Sequence, residues 1–91
     1  MRRFDWNDEK HQQLKQERGI SFEQVVFAIM NEQVIEVIPH PNQQKYPKQL
    51  IYVVELDEYV YLVPFVQDAE VIFLKTIIPS RKATKQYRPK R

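Results

Sequence analysis

The spacing of apolar residues changes period at Val34, and that change constrains the fold more than any other feature of the chain. Before it, Phe22, Val25, Val26, Ile29 and Met30 recur at intervals of three and four residues, the pattern of one buried helical stripe. After it, β-branched and aromatic residues follow a period of two. A stripe with helical spacing scatters over both faces of a strand, so the two halves cannot exchange structures. The chain is expected to place helices first and a sheet afterwards, in an α+β fold.

Local signals mark the ends of these elements. Asn7 reads as an N-cap, with Asp8 and Glu9 in the first turn facing the helix dipole, and Gly19 as a helix stop, so a helix is expected from about Asp8 to Arg18. Leu14 is nearly alone there as an apolar residue, while His11, Leu14, Lys15 and Arg18 share one face. Either Trp6 staples the start and Leu14 anchors a mostly solvated helix, or the basic face lines a functional groove; the first is the safer reading. Ser21 followed by Gln24 forms a capping-box pattern for a second helix running to about Asn31 and packing on the sheet. Phe27 lies off its stripe, leaving room for a second contact surface.

Four runs follow, Val34 to Ile38, Leu50 to Leu56, Tyr59 to Phe65 and Val71 to Ile77, giving a four-stranded, mainly antiparallel sheet. Asp57-Glu58 and Gln67 to Glu70 are short enough for hairpins, so the last three runs form a meander. The third run is apolar on both faces and belongs at the centre; Pro64 limits this to its first half or requires a bulge near its end. The connection from Pro39 to Gln49, rich in Pro and amides, is the obvious loop to carry function. Ser80 then caps a short C-terminal helix ending before Pro89. The reading is a single domain over residues 1–87 followed by a basic tail, residues 88–91.

A chain of 91 residues supports one core. It has no cysteine, which removes disulfides, thiolate metal clusters and a Cys nucleophile, and its single glycine excludes phosphate-cradling loops that need several. The apolar run Tyr59 to Val66 falls short of the roughly 18 to 20 residues that cross a bilayer, and the N-terminus carries no signal-peptide pattern. A soluble, cytoplasmic protein with no membrane partner is expected. The net charge of +2 hides an asymmetry: Arg81, Lys82, Lys85, Arg88, Lys90 and Arg91 lie in the last twelve residues without an acid, and the rest is net acidic. Such a block is either an arm that meets nucleic acid or a solvated terminus.

Ser21 and Ser80 are accounted for as helix caps, His11 and His40 lack a second His at helical metal-ligand spacing, and the acid pairs Asp8-Glu9 and Asp57-Glu58 are adjacent residues that point apart. Cleavage of RNA by its own 2′-hydroxyl makes lighter demands. It needs a proton acceptor, cations for the charge building on phosphorus and a proton donor for the leaving oxygen, with no cofactor or metal. The inventory is present: Arg81, Lys82 and Lys85 as cations, His11 and His40 as proton carriers, and Tyr46, Tyr52 and Tyr87 for stacking or proton transfer.

Three segments resemble one family. Phe4-Asp5-Trp6-Asn7-Asp8-Glu9-Lys10, Arg18-Gly19-Ile20-Ser21-Phe22-Glu23 and Ile78-Pro79-Ser80-Arg81-Lys82-Ala83-Thr84-Lys85 are similar to stretches of the BrnT bacterial toxins reading approximately F-x-W-D-x-x-K, K-H-G-V-S-F-E and I-I-S-A-R-K-A-T. The similarity runs nearly the whole chain in matching order, and the closing motif is its most specific part. It implies a RelE-like fold, metal-independent RNA cleavage that arrests translation, and a cognate antitoxin, usually a ribbon-helix-helix DNA-binding protein, with the ribosome as a further contact. Lys10, Gly19, Tyr46, Arg81, Lys82, Thr84 and Lys85 carry over, Gly19 and Thr84 in structural roles. The family's His before the glycine is Arg18 here, and its Tyr-Gly-Glu-x-Arg pattern becomes Tyr46-Pro47-Lys48-Gln49-Leu50, with Lys45 and Lys48 near the missing charge.

The expected catalytic residues are Arg81, Lys82, His11 and His40, with Lys10, Lys15, Arg18, Lys45, Tyr46, Lys85 and Tyr87 binding RNA. Arg81 is the preferred transition-state stabiliser because its planar fork matches phosphate oxygens. The first and last helices are expected to flank one face of the sheet, His11, Lys15 and Arg18 facing Arg81, Lys82 and Lys85 across an RNA groove. One side of the sheet is expected to be incompletely covered, for an acidic and apolar antitoxin segment to complete. The alternatives are a non-catalytic RelE- or ParE-like inhibitor that occupies the ribosome or a topoisomerase, and a decayed toxin serving as a corepressor partner.

Overall fold

In a computed structural model the described residues are 2–87; the expected tail, residues 88–91, lies outside them. The chain runs β1 (Arg3–Trp6), α1 (Asp8–Arg18), α2 (Phe22–Met30), β2 (Val34–Pro39), β3 (Leu50–Leu56), β4 (Tyr59–Gln67), β5 (Val71–Leu74), β6 (Ile78–Pro79) and α3 (Arg81–Tyr87). The fold is α+β, and the sheet is mixed rather than four-stranded. Its order is β1-β5-β4-β3-β2, with β6 also on β4 and in line with β5. β1 pairs parallel with β5 and the other pairs are antiparallel.

The helix ends follow the sequence signals. Asn7 accepts from the Lys10 amide, Gly19 closes α1 in the left-handed region at φ 64°, and Ser21 and Gln24 form a reciprocal capping box. Trp6, just before the cap of α1, meets His11 in the second turn edge to face at 5.6 Å and stacks on Phe22 at 5.6 Å. These contacts fasten a helix that has little apolar stripe of its own. The Asp57-Glu58 hairpin puts both residues at positive φ, 52° and 64°. At the β4–β5 turn, the Glu70 and Val71 amides donate to Asp68 and hold its carboxyl below its usual range.

Two sequence expectations are corrected here. The segment before α1 is a strand because Phe4 and Trp6 alternate with Arg3 and Asp5 and fall opposite Ile72 and Leu74 of β5. The run Val71 to Ile77 is not one strand: it breaks at Lys75. There the Lys75 amide donates to the Pro64 carbonyl at 2.8 Å, but Pro64 has no N–H with which to reciprocate. From Phe65↔Leu74 to Leu62↔Ile78 the outer side takes one residue more than β4, so the irregularity falls in the partner while β4 continues through its proline.

The core divides by strand parity. Tyr52, Val54, Val63, Phe65, Ile72, Leu74 and Ile77 project to the side covered by Leu14 of α1 and by Phe22 and Val25 of α2. Val53, Val60 and Leu62 project to the other side and meet Ala83 and Tyr87 of α3. α1 and α3 therefore lie on opposite faces, and the expected groove between them on one face does not form. Two distant contacts hold the end of the chain. Arg18 Nη1 donates at 3.0 Å to the carbonyl of Ile77, in the irregular stretch between β5 and β6. Thr84 Oγ1 accepts from the Val60 amide at 2.9 Å and donates to Ser80 O at 2.7 Å, so a side chain continues the ladder beyond β6.

Candidate functional site

The β2–β3 loop gathers three of the expected site residues. Its neck is closed by His40 N–H to Gln49 O, and a turn inside it is built by Asn42, whose side-chain oxygen accepts from the Lys45 amide at 3.1 Å while its carbonyl accepts from Tyr46 N–H at 2.9 Å. This turn brings the Tyr46 ring to 4.5 Å from the His40 ring, tilted by 44°, and sets Lys45 Nζ 5.4 Å from the Tyr46 ring centroid. The loop also orients the imidazole. The Asn42 amide donates to His40 Nδ1 at 3.0 Å, and Gln43 Nε2 donates to His40 O at 2.6 Å. A ring accepting at Nδ1 carries its hydrogen on Nε2, which is left as a hydrogen-bond donor to a ligand. His40 and Tyr46 are half-buried and Lys45 is exposed.

A second group stands on α3. Ser80 Oγ accepts from the Ala83 amide as the helix cap, Ala83 faces the sheet, and Arg81, Lys82 and Lys85 are exposed. Tyr87 is half-buried against the cluster of Val53, Val60 and Ala83, and its hydroxyl donates at 2.6 Å to Oε2 of Glu36 on β2. That bond to a carboxylate favours the neutral phenol and raises the Tyr87 pKa above the ordinary value. The C-terminal end of α3 thus packs on the strand that leads into the His40 loop.

The remaining expected residues are placed otherwise. His11 is 9 % exposed, packed between Trp6 and Phe22, and its buried Nε2 has no hydrogen-bond partner among the described residues. It belongs to the core, not to a surface that meets RNA, because it occupies the position where a helix start is stapled to the preceding residue. Arg18 is exposed along much of its length, but its guanidinium anchors the Ile77 carbonyl. Lys15 is exposed on α1, on the face of the sheet opposite α3. Lys10 borders an open cleft with Asn7, Glu9, Gln13, Phe73 and Lys75. Tyr52 stacks on Phe65 at 4.0 Å, and burial raises its pKa.

Sequence reasoning passed over Asn42 and Gln43, which hold His40, and Glu36, which holds Tyr87. A Pro-Asn-Gln run flanked by prolines was the available signal for the first two; Glu36 is brought to Tyr87 across 51 positions and carries no local signal. Phe73 and Lys75 were also passed over, although both line the same cleft. Among the described residues no helix is long and apolar enough to cross a membrane. No family model, curated protein or solved structure matches the chain.

Proposed function

We propose that the protein is a metal-independent endoribonuclease of RelE-like fold, the toxin of a toxin–antitoxin pair as the BrnT resemblance implies, which cleaves RNA through the 2′-hydroxyl. The observation that carries this reading is the convergence of His40, Tyr46 and Lys45 in one loop. An imidazole whose Nδ1 accepts from the Asn42 amide presents an Nε2–H donor to a phosphate oxygen, the Lys45 ammonium over the neighbouring Tyr46 ring supplies a cation for phosphate, and the half-buried phenol offers a stacking surface. Arg81, Lys82 and Lys85 supply cations from α3. Lys10 and Lys15 add further cations for RNA, whereas Arg18 and Tyr87 bind it less directly than the sequence pattern implied, because they are committed to Ile77 and Glu36.

Incubation of the purified protein with RNA in excess EDTA tests this: wild type leaves 2′,3′-cyclic phosphate ends, and His40→Ala abolishes or sharply reduces them. Arg81→Ala relieves growth arrest on induced expression while the protein stays folded. Cleavage that persists in full in His40→Ala removes the loop from the chemistry.

A second reading, a binding module that inhibits by occupying the ribosome or a topoisomerase, is favoured by one observation. His11 and Arg18, two of the polar groups expected at the site, are engaged in structural contacts. Growth arrest with intact RNA in EDTA and in magnesium selects this reading over the first. In either case the partner is a cognate antitoxin, and a neighbouring gene for a small ribbon-helix-helix protein supports both.

A further inference from the structure

The face of the sheet that carries α3 is covered by it over one half. α3 lies above Val53, Val60 and Leu62, while the other half, on β4 and β5, presents Val66, Val71 and Phe73. Parity puts them there. Ile72 and Leu74 on either side of Phe73 are buried beneath the N-terminal helices, so Phe73 projects from the opposite face. Its half-buried ring is the wall shared by two open clefts. One, of about 140 Å³, lies over Val66 and Val71; the other, of about 610 Å³, extends past the end of β5 to the first turns of α1.

The larger cleft combines an aromatic ring with cations and amides. Lys75 and Lys10 bring two ammonium groups against one carboxylate, Glu9, and Asn7 and Gln13 bring primary amides. Lys75 Nζ stands 5.7 Å from the Phe73 centroid, on an exposed four-carbon stem that can carry the charge from the ring to a neighbouring anion. A site for a small apolar ligand would be enclosed and mainly apolar. An open trough with an aromatic platform between flexible cations suits a ligand with flat π faces, hydrogen-bonding edges and spaced negative charges. Single-stranded nucleic acid has all three, whereas a duplex keeps its base faces stacked away from a side chain set into a sheet.

We infer that Phe73 is a stacking platform for one nucleobase of single-stranded RNA, with Lys75 and Lys10 meeting the flanking phosphates. The inference rests on the reading of the protein as one that acts on RNA, and adds a contact remote in sequence from the His40 loop. Phe73 holds a base here and takes no part in bond cleavage.

The test is fluorescence anisotropy with a labelled 2′-O-methyl oligouridylate, which cannot be cut through its 2′ oxygen, over a series of salt concentrations. Phe73→Leu, which keeps an apolar side chain without a π face, weakens binding by about tenfold. Phe73→Trp binds at least as tightly as wild type. Lys75→Ala lowers the slope of log affinity against log salt by about 0.7, one phosphate contact on a single strand. Thermal melting establishes that Phe73→Leu is folded, and Phe73→Met replaces it if it is not. A folded Phe73→Leu or Phe73→Met that binds with wild-type affinity overturns the platform while leaving the RNA reading in place. Wild-type protein that fails to bind at low salt overturns the RNA reading and the platform with it.

Discussion

The two faces of the sheet use the same strands and differ in how they are closed. On the α1–α2 face, Phe22, Phe65, Leu74 and Ile77 are fully buried, and Trp6, Phe22 and His11 form a contiguous ring cluster. On the α3 face the cover is a seven-residue helix touching the sheet mainly through Ala83 and Tyr87, beside a half that α3 leaves open. A small side chain lets α3 approach closely but removes little apolar area from water, so this face adds less stability by burial. It carries more cationic chemistry instead, because Arg81, Lys82 and Lys85 remain in solvent. One face holds the domain together, and the other is free to bear charge.

Substitutions break or sharpen that contrast. Phe22→Ala on the closed face should cost about 3–5 kcal/mol in urea denaturation, enough to threaten folding of so small a domain. On the α3 face the largest loss should come from a hydrogen bond: Thr84→Val leaves the Val60 amide without its acceptor and should cost about 1–3 kcal/mol. A loss as large as that of Phe22→Ala would mean that α3 is as integral as α1 and α2. Within the closed face, His11→Leu removes an unpartnered buried nitrogen and should raise stability by about 1 kcal/mol in the same assay. Arg81→Ala should change stability by less than about 0.5 kcal/mol, since an exposed side chain leaves no hole.

The smallest expected effect is on ionisation. Hydrogen bonding to Glu36 raises the Tyr87 pKa in the folded protein. Its contribution is present below the ordinary phenol pKa and is lost as pH rises through the raised value. Ultraviolet titration should show one tyrosine ionising late for this reason, and Glu36→Gln should return it toward the normal range. An unchanged titration would mean that the contact does not hold α3 at its C-terminal end.

The extent to which this fold was legible follows from the range of each signal. Asn7, Gly19, Ser21 with Gln24, and Ser80 act within three or four residues of themselves, and the helix ends they imply are the ones observed. Leu50–Leu56 and the Asp57-Glu58 hairpin are equally local. β1 was less legible, because four alternating residues beside a strong cap signal are too short a run to stand out, and its parallel partner is almost seventy positions away. Pro64 announced an irregularity, but only the pairing with Lys75 shows which strand absorbs it.

At the site, the Pro39 to Gln49 connection was recognisable as the loop for His40, Lys45 and Tyr46, since its prolines and amides exclude regular structure. Their mutual packing depends on the Asn42 turn. The sequence by itself determined the three helices, their caps, the strands β2, β3 and β4 and which residues on each are apolar, because spacing and capping are properties of consecutive residues. The tertiary structure decided that α1 and α3 take opposite faces, that His11 is inside, and that Arg18 and Thr84 secure the end of the chain. A stripe specifies that a helix must bury one side but not which side of a sheet receives it, and that choice follows from strand parity and from where β6 leaves the chain.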